Sequence, residues 1–191
     1  VSKKQPATPE AQNQPYIPYP IIGFDAEYTL DPANPDRNVL LSIQWCVIDP
    51  DGRSTTGIWY SPDGKRLKFV EWIVLAIQDA MAKRLFKHWP KHVNACAHFS
   101  AAEFSMFADR DKLGKKLSLL RGTFANLGYP MKLSRSVDGH LRKFDVVLSD
   151  TMLLSPAKKG ALKDLGEILG LPKLAISKAD LDDMRAFLKR D

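Results

Sequence analysis

The chain places two carboxylates two residues apart at the end of an apolar run, Pro20 to Tyr28 (PIIGFDAEY), and follows it with a second, stronger apolar strand. Residues i and i+2 of a strand share a face, so Asp25 and Glu27 project together. If Ile21, Ile22 and Phe24 lie in a buried strand, burying two unpaired anions beside them costs several kcal/mol, and a counter-charge is expected. No Lys or Arg stands within four residues of either. A divalent cation taking oxygen ligands would satisfy both at once. The tripeptide is weak alone and stronger on a strand followed by another. The competing reading is a solvated strand end with two exposed carboxylates.

The sequence around this pair predicts an α/β domain. Ile21 to Tyr28 is the first strand, Val39 to Ile48 (VLLSIQWCVI) the second, and Arg53 to Tyr60 the third after the turn Asp49-Pro-Asp-Gly52. Three antiparallel strands thus open the domain. Apolar residues at 69, 70, 73, 74, 77, 81 and 85 predict a helix over Phe69 to Trp89. A short strand is expected at Val93 to Ala97, helices at Ala101 to Asp109 and Leu117 to Leu127, and strands at Met131 to Ser136 and Leu141 to Ser149. Helices over Ala161 to Leu169 and Asp180 to Arg190 close the pattern. A meander followed by alternating strands and helices indicates a mixed sheet with flanking helices. Residues 1–19, rich in Pro, Gln and Ala without apolar period, read as a flexible arm or linker, and residues 20–191 as one domain.

No apolar stretch is long enough to cross a bilayer, and residues 1–19 lack a signal-peptide centre, so no membrane role and no secretion are expected. Cys46 and Cys96 sit in strand-like runs, as reduced buried thiols do. The formal net charge of +6 is clustered, at Lys83-Arg84, Lys87 to Lys91, Lys112 to Lys116, Arg142-Lys143, Lys158-Lys159 and Lys189-Arg190. Such clusters favour polyanions, although many soluble proteins are modestly basic.

Further carboxylates fall where they can join the first pair. After the short strand, His98-Phe-Ser-Ala-Ala-Glu103 puts Glu103 in the first turns of a helix at the exit edge of the sheet. If that strand neighbours the first, Glu103 can approach Asp25 and Glu27; otherwise it serves the helix dipole. His98 is placed to contact a substrate, whereas His88 and His92, beside Lys87 and Lys91, belong to a basic surface. Asp150 ends the last strand and is either a fourth carboxylate or a cap of the following turn; the cap is the preferred reading. Lys158 and Lys159 are placed to meet a phosphate backbone.

The order FDAEY, VLLSIQWCVID, HFSAAEF and DTMLLSPAKKGALKDLGEILGL over residues 20–175 resembles the ribonuclease-H-like 3′–5′ exonuclease fold with four acidic ligands. It is similar in particular to the proofreading domain of family-B DNA polymerases of the protein-primed, phage and plasmid type. The resemblance implies hydrolysis of single-stranded DNA ends, RNA not being excluded, by two Mg²⁺ or Mn²⁺ ions held by Asp25, Glu27 and Glu103, within a larger polymerase chain. It also implies a cytoplasmic or organellar setting. Two departures stand out. The family's Asn and Asp of the second motif are here Phe99 and Glu103, which leaves Phe99 rather than an Asn to meet the strand. The third motif, Tyr-x-x-x-Asp, has only the spacing of Phe187 to Asp191 to offer. A sequence cut before that motif is expected, the alternative being a degenerate module that binds nucleic acid without cleaving it.

Overall fold

The computed structural model describes residues 19–31, 33–126 and 129–155, together with Ala161, Gly166 and Gly170. The arm, Lys158, Lys159, Asp191 and nearly all of the two C-terminal helices expected from the sequence lie outside the described residues. The chain divides into two compact units, Val1–Thr151 and Met152–Asp191. At the boundary the chain makes a 3-10 turn, Thr151–Leu154, and in the second unit the Ser155 N–H closes on the Met152 carbonyl at 3.3 Å.

The first unit is built on β1 (Ile21–Asp31), β2 (Asn34–Ile48), β3 (Ser54–Tyr60), β4 (His92–Ala97), β7 (Met131–Val137) and β8 (His140–Asp150). They form one six-stranded sheet in the order β3-β2-β1-β4-β8-β7. β1 is antiparallel to β2 but parallel to β4, and β4 is parallel to β8. Alternation along β1 sends Ile22, Phe24 and Ala26 into the core. Trp45 and Ile43 stand directly opposite Phe24 and Ala26 on β2 and join them. At the far end of β2 the Asp49 carboxylate accepts the Asp51 and Arg53 N–H groups at 3.0 and 2.8 Å, which fixes the expected turn. Cys46 and Cys96 are half-buried rather than core, one on either side of Gly23.

Helix α1 (Phe69–Ala82) covers the core face with Phe69, Trp72, Ile73, Ala76, Ile77 and Ala80, the i, i+3, i+4 stripe of an amphipathic helix. It stops seven residues short of the expected Trp89. Arg84 adopts φ 60°, and the Leu85 and Arg84 N–H groups turn back to the Ala80 and Met81 carbonyls, both at 2.9 Å. That is a left-handed C-cap with the buried Leu85 as its apolar anchor. The apolar period ran on because Leu85 and Phe86 are also drawn inward, not because the helix continues.

Two other helix expectations are corrected. The segment expected as one helix from Ala101 to Asp109 is a short α2 (Ser100–Phe104), a turn, and then α3 (Arg110–Gly114). The Ala108 N–H is taken by the Leu67 carbonyl at 2.8 Å, which breaks the helical run while Met106 and Phe107 stay in the core. Where a helix from Leu117 to Leu127 was expected, residues 118–125 form a hairpin, β5 (Ser118–Leu120) with β6 (Thr123–Ala125). Its loop residues Arg121 and Gly122 have φ 49° and 82°. A two-residue loop with both φ positive matches strand twist, and Gly122 makes it accessible, followed by the β-favouring Thr123 and Phe124.

Candidate active site

The site is assembled at the carboxyl edge of the parallel strands. β1 and β4 pair only at Ile21–Asn94, Ile22–Ala95 and Gly23–Cys96. Beyond Gly23 the neighbouring chain turns away into α2, and a side chain from that helix can enter beside β1. Such a crevice, where strand order reverses outside the carboxyl ends of parallel strands, is where open α/β sheets take ligands.

Asp25 and Glu27 share one face, as the spacing requires, but it is the face away from Ile22, Phe24 and Ala26, and both residues are exposed. The burial argument made for them from the sequence is therefore corrected: alternation carries them out of the core. Burial falls instead on Glu103. Its Oε2 is buried and has no hydrogen-bond partner among the described residues. Burial, foremost, and then the charge of Asp25 push its carboxyl up from 4.5 to about 8; the Ala26 N–H opposes this, while Glu27 and Asp150 add to it. Asp25, Glu27 and Asp150 thus each lie within electrostatic reach of Glu103.

Asp150 is only 3% exposed. Its Oδ1 accepts the Phe99 N–H at 3.0 Å, its Oδ2 accepts the Ser100 N–H at 2.5 Å, and the Thr123 hydroxyl also donates to Oδ2. Through these bonds Asp150 accepts from the turn after β4. Phe99 has φ 60° and ψ 57° and is 42% exposed. His98 Nδ1 lies 2.9 Å from the Thr151 hydroxyl. Ser100 and Thr123 were missed in the sequence. Ser100 at a helix start was a readable signal, but Thr123 was hidden by the mistaken helix.

Hard oxygen donors suit Mg²⁺ or Mn²⁺. Among the described residues no three His, Cys, Asp or Glu side chains are grouped closely enough to hold a metal ion. The carboxylates converge by charge without forming a ready chelate, and the unpartnered Glu103 Oε2 is the atom whose surroundings fit a cation. Beside Asp25 an open groove of about 800 Å³ runs over the sheet, lined in part by Gly23, Gln44, Cys46, Thr56 and Ile58. His88 and His92 are exposed next to Lys87 and Lys91. No helix among the described residues is long and apolar enough to cross a membrane.

The site is thus a mixed sheet in this order with carboxylates from β1 and from the helix after β4 near its carboxyl edge. The chain is similar to primer-independent DNA polymerase PolB of Escherichia coli, 31% identical over an alignment that covers 89% of this chain and 22% of that protein. It therefore spans about a fifth of that polymerase's length. No family profile matches the chain. Looser structural likenesses, which carry no argument, include the family-B DNA polymerase of Pyrobaculum calidifontis, 19% identical over 91% of this chain and 22% of that one, with a TM-score of 0.43. A full-length 3′-exonuclease is 14% identical over 93% of this chain and 61% of that one, with a TM-score of 0.44.

Proposed function

We propose that this domain removes nucleotides from the 3′ end of single-stranded DNA by metal-assisted phosphodiester hydrolysis, as the exonuclease part of a larger family-B-type polymerase. The observation that carries the reading is the buried, unpartnered Glu103 Oε2 within electrostatic reach of Asp25 and Glu27. Asp25, Glu27 and Glu103 would hold two divalent ions, with Asp191 a further ligand by spacing alone. Bound there, the ions would supply a hydroxide nucleophile and stabilise the leaving 3′ oxygen. The protein's own part would be to hold these three carboxyl groups near one another at the sheet edge and to orient the strand end over them. His98 and Phe99, at the lip of the same edge, are the residues assigned to the terminal nucleotide, and Lys158 and Lys159 to the phosphate backbone. The similarity to a DNA polymerase favours DNA over RNA as the substrate.

The test is trimming of a 5′-labelled single-stranded oligonucleotide with Mn²⁺ and, separately, with chelator. Cleavage from the 3′ end should require the ion and fall about 10²-fold or more in Asp25→Ala/Glu27→Ala. Tight, salt-sensitive binding with no cleavage in any metal would refute the nuclease reading and leave a binding module.

A further inference from the structure

We propose that Asp150 is a positioning residue: by holding the turn between β4 and α2 it sets where the Glu103 carboxylate stands against β1. The inference rests on the assignment of Glu103 to the metal site made above.

Its support is a connected set of contacts. Phe99 occupies the left-handed region, φ 60°, where a bulky side chain is strained and persists only if its surroundings over-determine it. The over-determination is visible. Both oxygens of a nearly inaccessible carboxylate take the two successive N–H groups of Phe99 and Ser100. The Ser100 hydroxyl reaches the Phe124 carbonyl at 2.8 Å and lies 3.0 Å from the Thr123 hydroxyl, which donates to Asp150 in turn. The Phe124 N–H returns to Ser100 Oγ at 3.2 Å. Asp150 ends β8, which pairs with β4 in register up to Ala97–Asp150. The latch therefore joins three elements: β8, the start of α2 and the β5–β6 hairpin.

The consequence for Glu103 is geometric. α2 is only five residues long and Glu103 is its fourth, so the helix has no length over which to average an error in its first turn. With both its oxygens accepting bonds from the turn and the hairpin, Asp150 acts through α2. It need not touch the ion for its loss to be felt at the site, and the strained Phe99 is what keeps the helix aimed at the gap where β1 and β4 part.

Three measurements on the whole chain test this, using Asp150→Asn and, as a second variant that leaves every carboxylate in place, Thr123→Val. They are amide exchange at Phe99 and Ser100, Mn²⁺ affinity by calorimetry, and kcat and KM on a single-stranded oligonucleotide. In Asp150→Asn the amide oxygen can replace only one acceptor. Exchange at these amides should quicken about tenfold or more, Mn²⁺ affinity should fall about tenfold and kcat should fall with KM little changed. Thr123→Val should move all three in the same direction by less. Faster exchange with unaltered Mn²⁺ affinity and kcat would make the latch merely structural and overturn the proposal. So would loss of the ion in Asp150→Asn with exchange unchanged and Thr123→Val silent, which would make Asp150 a direct ligand. A wild-type chain that neither binds Mn²⁺ nor cleaves would instead sink the nuclease reading and with it the role of Glu103, and the exchange data would still report whether Asp150 holds α2.

Discussion

Replacing Glu103 by Gln should stabilise the metal-free protein at alkaline pH while removing its response to metal. The folded protein holds this carboxyl at about 8 against an ordinary 4.5, chiefly through burial and then through Asp25. An acid whose pKa is raised by folding binds more protons folded than unfolded, so stability falls as pH rises from the unfolded value through the folded one. Its contribution is intact below pH 4.5 and gone above about 8. Between pH 5 and pH 8 the loss is roughly 3–4 kcal/mol. Gln is isosteric, can still accept from Ala26, and turns an amide donor toward the neighbouring carboxylates. Urea unfolding in chelator, followed by tryptophan fluorescence at both pH values, should show wild type falling by that much relative to Glu103→Gln. At pH 8, Mn²⁺ at a hundred times its dissociation constant should return about 2.7 kcal/mol to wild type and little to the variant. Identical pH dependence in the two proteins would refute the account of a crowded, buried carboxylate. Equal stabilisation of both by Mn²⁺ would remove Glu103 from the metal site.

Gly57→Ala should cost about 1–3 kcal/mol, because the new Cβ would lie 2.4 Å from Trp45 Cε2 and 2.6 Å from Asp79 Oδ2 and would push the indole off its 3.2 Å hydrogen bond to Asp79. Urea midpoints and a change in Trp45 emission check it; an unshifted midpoint would mean the indole is not held there. Lys158→Ala/Lys159→Ala should weaken single-strand binding and flatten its dependence on salt by about one to two units of log–log slope. An unchanged slope in a fluorescence-anisotropy titration would take these lysines off the backbone path.

The sheet was largely legible because its strands carry their own signals: alternation in β1, a long apolar run in β2, and Asp-rich turns between. The helices were less so. The period through Phe69 to Leu85 fixed α1 but could not reveal that Arg84 would take a left-handed cap, since glycine usually marks that place. Leu117 to Leu127 offered leucines at helical spacing, and Gly122 within them was the one sign of a hairpin. At the site, spacing put Asp25 and Glu27 on one face but not which face, because register against β2 and α1 decides that. The burial assigned to them belongs to Glu103, a fact that depends on β1 and β4 parting after Gly23. Asp150 was legible as a carboxylate at a strand end, yet its partners come from two distant segments that no local pattern links to it.

The parallel pairing of β1 with β4 and of β4 with β8 also orders events as the chain folds. β1, β2 and β3 are joined by hairpins and can zip locally, whereas the carboxylates meet only after two long crossovers have closed. Non-local closure is the slow part of such topologies. The anions therefore stay far apart through the early, local stage of folding and are forced together only at the end, once a largely formed core is there to hold them.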